Sequence, residues 1–378
     1  MCFLSFKNIL FYKNFECKNK QIKMKIKLLM LISVLLLISA NCFSQEEVKF
    51  AKGNYNDILE LAKSENKIIM ADFFTDWCVW CVELDKKVYH NSEAAAYMNE
   101  HQINWKTDAE KGEGIELAKK FNVNGYPSII FIDANGNEID RIVGYFPPKT
   151  FLKLVKDINE SNNLTPELQE KYNANPNGLE ENYLLAKKYS DAGDMESAEK
   201  YLTFVINHAD KSSEMYTECK LKYEAAKGNI TEVQDYIKSN PDGKFLKDAC
   251  LSLAELQYTK ENNFDAAEKT YLTLIEKYPS DEDVSFAYAM FLRGKIFKMT
   301  SDSTVNIQDR ISYAEKIFSD NTTYLGNSVN EAAIYARLAN LYLKAGDKNK
   351  ALECINRALA IFDNKTYREL KDKIVKSN

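Results

Sequence analysis

Histidine is nearly absent from this chain: there are three in 378 residues, His90, His101 and His208. Only Cys78 and Cys81 stand at Cys-x-x-Cys spacing. A structural zinc site takes about four ligands, usually completed by a second cysteine pair or a histidine pair. Neither is present, which argues against a metal clip. Val82 follows Cys81, so covalent haem attachment through Cys-x-x-Cys-His is excluded. No run of Lys and Arg supplies a phosphate-binding stripe, so nucleic acid is not an expected partner. The apolar run at 28–40, LLMLISVLLLISA, has 13 residues, short of the ~20 a membrane-spanning helix needs.

That run has the length of a secretory h-region and follows Lys23, Lys25 and Lys27. Small residues, Cys42 and Ser44, precede a cleavage point at Gln45. Lipoprotein processing would instead cut before Cys42 and acylate it, the one route by which this chain reaches a membrane. Asn41 is a poor neighbour for that cut, so simple export to the periplasm is the favoured expectation. Met24, followed by Lys-Ile-Lys, is a more natural start than Met1. Residues 1–44 are therefore read as an over-extended start plus a signal peptide. The rest carries 43 basic and 54 acidic residues, a net charge near −11. Its five cysteines, an odd number, do not make a disulfide-dense scaffold.

Periodicity divides the remainder. Over 45–160, apolar strand-like runs (67–74, 103–108 and 128–133) alternate with helical patterns at 55–62, 79–100 and 115–121. SIIFID and EIDRIVG around Asn135-Gly136 read as a hairpin with a two-residue turn. Pro147 and Pro148 open a last helix. This predicts an α/β domain, a mixed sheet flanked by helices. Residues 161–180, polar with two prolines, read as a linker. From 181 to 378 the strand signals vanish and related segments recur: AGDMESAEKYL at 192–202, AKGNITEVQDYI at 226–237, ENNFDAAEKTYL at 261–272 and KAGDKNKALECI at 344–355. The spacing predicts an irregular or longer repeat around 284–320.

Cys78 and Cys81 follow an apolar strand and open a helix. A structural staple over so short a loop removes little chain entropy, on the order of 2 kcal/mol at most. With ligands for a metal scarce, redox chemistry is the favoured alternative. At a helix's first turn, unpaired N–H groups and the positive end of the dipole favour thiolate over thiol. Cys78 is thus the expected attacking sulfur. Cys81, one turn on, is the expected resolving thiol. Cys219, Cys250 and Cys354 lack a partner at that spacing and are expected to be buried small hydrophobes.

Asp72-Phe-Phe-Thr-Asp-Trp77-Cys78-Val-Trp-Cys81, with Gly125-Tyr126-Pro127 before SIIFID, resembles the thioredoxin superfamily over roughly 46–160. Among its members it looks most like the periplasmic C-terminal domain of transmembrane thiol:disulfide interchange proteins, whose pair is also Cys-Val-x-Cys. The resemblance implies a redox-active disulfide at Cys78 and Cys81, with Asp72 as a buried carboxylate moving a proton at Cys81. It also implies a cis Pro127 whose loop, with Tyr126, Trp77 and Trp80, meets the client, and Trp77 shielding the pair from water. No cofactor is called for. Val79-Trp80 between the cysteines, where Gly-Pro is commonest, leaves the potential open, and the lack of a histidine between them tilts slightly toward a reductase.

The second half resembles the tetratricopeptide repeat family through Tyr258, Ala267, Tyr271 and Pro279, through Tyr342, Ala351 and Ala358, and through Leu185, Ala186, Tyr189 and Ala198. That resemblance implies an all-α helical stack that binds other proteins or packs against its own neighbour. The expected protein is an exported thiol:disulfide oxidoreductase acting on protein thiols and disulfides and recharged by a redox partner protein. The competing expectation is a repeat-based scaffold or chaperone whose first domain is structural or grips clients.

Overall fold

The computed structural model describes residues 46–160 and 164–377; the expected signal peptide and Cys42 lie outside them. In the first half the order is α1 (Tyr55–Glu65), β1 (Ile68–Phe74), α2 (Val79–Leu84), α3 (Ser92–His101), β2 (Gln102–Asp108), α4 (Gly114–Lys120), β3 (Ser128–Ile132), β4 (Glu138–Val143) and α5 (Pro148–Glu160). The sheet runs β2-β1-β3-β4, with β1 and β2 parallel and the other pairs antiparallel. It is the expected mixed sheet, and alternation along β1 explains its two covered faces. Ile69, Ala71 and Phe73 meet Ile130 and Ile132 beneath α1 and α4. Met70 meets Ile129 and Phe131 on the other face, beneath α2, α3 and α5. Asp72 shares the face of Met70.

Two local differences from the sequence reading have clear causes. The helical pattern over 79–100 is interrupted by a π-helical turn, Asp85–Tyr89, and α3 restarts at Asn91, whose side chain accepts from the Ala94 N–H. In the β3–β4 hairpin the Asp133 N–H donates to the Asn137 carbonyl and the Gly136 N–H to the Asp133 carbonyl. This leaves a three-residue loop with Gly136 at φ +87° instead of a two-residue turn. Asp133 accepts from the N–H groups of Asn135 and Asn137, which fixes the longer loop. The register shifts by one between Phe131 and Ile132, as such a loop requires.

All remaining elements are helical: α6 (Thr165–Ala174), α7 (Leu179–Asp191), α8 (Met195–His208), α9 (Glu214–Lys227), α10 (Ile230–Ser239), α11 (Leu246–Thr259), α12 (Phe264–Lys277), α13 (Glu282–Ser301), α14 (Ile307–Asp320), the single turn α15 (Thr322–Leu325), α16 (Val329–Lys344), α17 (Lys348–Ile361) and α18 (Lys365–Lys376). Each recurring segment is a turn between two helices. Gly193, Gly228, Asn262 and Gly346 hold the left-handed conformation there, which glycine and asparagine reach at least cost. Asp194, Asn263 and Asp347 then cap the next helix. Ala186, Ala198, Ala267, Ala351 and Ala358 are fully buried where the helices cross, as the repeat spacing implies. The longer repeat expected at 284–320 is α13, a helix of 20 residues, followed by α14.

The stretch at 161–180 is not simply a linker. Residues Thr165–Ala174 form α6, and its Leu168 is buried against Leu185, Ala198 and Leu202. Pro166 lies in the first turn, where a missing N–H costs nothing. Leu164, Leu168 and Tyr172, four apart, give the helix an apolar stripe. Residues from Glu47 onward make one compact unit in which the two halves touch.

Candidate functional site

Cys78 occupies the residue before α2, and its sulfur accepts from the Cys81 N–H at 3.0 Å. The two sulfurs are joined as a disulfide, with Cα atoms 5.3 Å apart. Both cysteines are nearly buried, at 3% and 4% exposure. The helix start therefore sits where the sequence predicted it, with Cys78 as the capping residue. The other three thiols differ. Cys219 and Cys354 are buried and Cys250 is half-buried. Burial pushes the thiol of Cys219 up to about 12 and that of Cys354 to about 11, and raises Cys250 as well.

Asp72 is wholly buried on β1. Among the described residues neither of its oxygens accepts a well-formed hydrogen bond; the Lys106 ammonium lies 3.5 Å away and Tyr89 lies beside it. Burial raises its pKa to about 6, held down by Lys106 and pushed up by Asp85. The hydroxyl of Tyr89 is buried beside Asp72, and its pKa is raised by burial and by Asp72. Lys106 is shared with Asp85 at 2.5 Å and lies over the rings of Phe50, Phe74 and Tyr89. A carboxyl in such a setting changes its protonation near neutrality, which suits proton transfer. Sequence reading missed Lys106, Tyr89 and Asp85. Pairing the two parallel strands would have found Lys106, because it is the register partner of Asp72.

The Tyr126–Pro127 peptide bond is cis. Pro127 is buried and its carbonyl accepts from the Gly144 N–H. The backbone N–H and carbonyl of Tyr126 have no partner among the described residues. Trp77, expected to shield the pair, is itself 57% exposed. Its indole N–H donates to Glu110 at 3.0 Å and its ring meets Tyr126 edge-on at 5.7 Å. The more covered tryptophan is Trp80. It stacks on Tyr145 at 5.6 Å and meets Phe286 of α13 at 5.7 Å.

Phe286 belongs to the repeat half, so the redox helix forms part of the seam between the halves. Within that seam Glu83 of α2 is buried and accepts from the Val329 N–H at the start of α16, at 3.1 Å. Its pKa is raised by burial, against the pull of that N–H. Lys86 donates to the Ile361 carbonyl, Thr150 to Asp283 at 2.7 Å, and Lys188 of α7 pairs with the buried Asp140 of β4. No sequence signal marked these contacts. Among the described residues no cluster of His, Cys, Asp and Glu is placed to hold a metal ion.

Comparison with known proteins agrees with this arrangement. A thioredoxin-like domain model matches residues 55–159, and tetratricopeptide repeat models match 249–285 and 332–364. The thiol:disulfide interchange protein DsbD of Yersinia pestis is 35% identical over 96 residues, covering 25% of this chain and 16% of DsbD. The disulfide bond reductase DsbH of Chlamydia pneumoniae is 30% identical over 105 residues, covering 25% of this chain and 62% of DsbH. A solved structure from Bacteroides thetaiotaomicron, described provisionally as a disulphide-isomerase, is 39% identical. It covers 32% of this chain and 99% of its own, at a TM-score of 0.29. The chain thus spans about a sixth of the length of the DsbD proteins it matches. This chain joins a thioredoxin-like domain to tetratricopeptide repeats, and its first domain is homologous to the DsbD and DsbH thiol:disulfide proteins.

Proposed function

We propose that this protein is an exported, periplasmic thiol:disulfide oxidoreductase that works as a reductase, with the helical repeats as its protein-binding module. The observation that carries the reading is the Cys78–Cys81 disulfide at the start of α2, in a domain that also holds the cis Pro127 loop and the buried Asp72. In the reduced enzyme the Cys78 thiolate attacks one sulfur of a client disulfide, and the client's other sulfur leaves and takes a proton. Cys81 gives its proton to the Asp72 carboxylate and attacks Cys78. The second client sulfur leaves as a thiol, and the Cys78–Cys81 disulfide forms. Two electrons pass from the pair to the client, and a dithiol of a partner protein restores them. Tyr126 offers unpaired backbone groups for strand-like pairing with the client.

Reduction of insulin in the presence of dithiothreitol, followed by turbidity, tests the reading. The wild-type protein should accelerate precipitation and Cys78→Ser should not. Equal acceleration by Cys78→Ser would remove the claim.

A further inference from the structure

A carboxylate meets one tryptophan beside the redox pair and a guanidinium meets the other. On the Trp77 side, Glu110 accepts from the indole N–H, and the pKa of Tyr126 is raised by burial and then by Glu110 and Asp108. On the Trp80 side lies Arg293 of α13, its guanidinium carbon 6.0 Å from the Trp80 ring and 5.6 Å from that of Phe297. Arg293 is half-buried and, among the described residues, has neither a carboxylate nor a hydrogen-bond acceptor. Burial pushes its pKa down. Beyond Phe297 stands Arg337, which among the described residues donates to the hydroxyls of Thr300 and Ser301. Arg310 follows, donating to the Thr300 carbonyl while its Nε is buried without a partner.

Two guanidinium groups, those of Arg293 and Arg337, without an ion pair among the described residues are unexpected in a chain whose net charge is −5 and whose lysines are widely paired. Taking a guanidinium partly out of water without a counter-charge is costly, and stacking on Trp80 and Phe297 offsets only some of that cost. The planar fork is left with free donors that fit a carboxylate. Trp80 lies between the two cysteines, so a carboxylate bound there belongs to a residue close to the client's reacting sulfur.

We propose that α13 of the repeat half forms one wall of the client site, and that Arg293 selects clients carrying an acidic residue next to the cysteine they present. This deepens the redox reading above and rests on it. Arg337 extends the same wall for a second acidic side chain.

Two dye-labelled peptides, identical except for Glu or Lys beside a serine that replaces the cysteine, separate the two ideas because their binding needs no chemistry. By fluorescence anisotropy the full chain should bind the Glu peptide about fivefold more tightly, the ratio expected of one half-exposed ion pair. The ratio should fall toward one in Arg293→Gln, persist in Arg293→Lys and shrink as salt is raised. Equal binding of the two peptides by the wild type, or a preference that survives Arg293→Gln or high salt, would overturn the proposal. Should Arg293→Gln not fold, the Arg293→Lys and salt results decide alone. Reduction of neutral hydroxyethyl disulfide by the wild type tests the redox reading separately. Its absence would sink that reading whatever the peptides show.

Discussion

The two halves treat cysteine in opposite ways. In the α/β half, Cys78 stands at a helix start with a backbone N–H on its sulfur and a second sulfur one turn away. In the helical half, Cys219 and Cys354 lie inside packed helix faces, where burial pushes their thiols far above neutrality. Both environments hide the sulfur from water, so exposure alone does not separate them. The N–H groups of a helix start stabilise a thiolate, whereas an apolar helix crossing does not. On the proposed reading, the five cysteines after residue 44 hold one reactive pair.

The largest expected effect breaks that contrast outright. Cys78→Ser should lower the rate of insulin reduction on the order of a thousandfold or more, since the nucleophile is lost. Joint replacement of Cys219, Cys250 and Cys354 by Ala should leave the rate within about twofold. A large loss in the triple variant, with circular dichroism unchanged, would move chemistry into the helical half.

Asp72→Asn should slow release of the mixed disulfide by at least about tenfold, as loss of a proton acceptor does, read by quenched-flow trapping. It should also stabilise the fold in a pH-dependent way. Asp72 titrates at about 6 when folded against 3.8 when free. The folded chain holds more protons in that window, so stability falls as pH rises through it. Above the window the full cost, about 3 kcal/mol, is in force. Asp72→Asn should therefore raise the melting temperature at pH 7 and give no gain below about pH 4. A loss of stability at pH 7 would show that the pairing with Lys106 outweighs burial.

Glu83→Ala sharpens the account of the seam. It strands the buried Val329 N–H and should cost about 1–3 kcal/mol, measured by urea unfolding. A change from one transition to two would show that this contact couples the halves. The smallest effect is expected from Trp77→Ala. It removes an exposed ring proposed to meet the client and should raise KM for a protein client by a few-fold, with kcat little changed.

The elements and the place of Cys78 at a helix start were legible because their signals are local. The Cys78 cap, the Asx caps and left-handed turns of the repeats, and the alternation along β1 all lie within a few residues of what they determine. What escaped reading depends on distant pairs. Glu83 and Val329 are 246 positions apart, and nothing near Trp80 indicates that Phe286 and Arg293 will cover it. Lys106 is intermediate: the sequence shows both strands, but only their register sets the ammonium beside Asp72. Leu168 taught a smaller lesson, since two prolines and a polar stretch hid a four-residue apolar spacing.

The central claim is that the start of α2 makes Cys78 a thiolate near neutral pH. It is tested most directly by the pH dependence of iodoacetamide alkylation of Cys78 in the reduced protein, followed by mass spectrometry. The account predicts a midpoint close to or below about pH 7. A midpoint near the ~8.5 of an unperturbed thiol would contradict it.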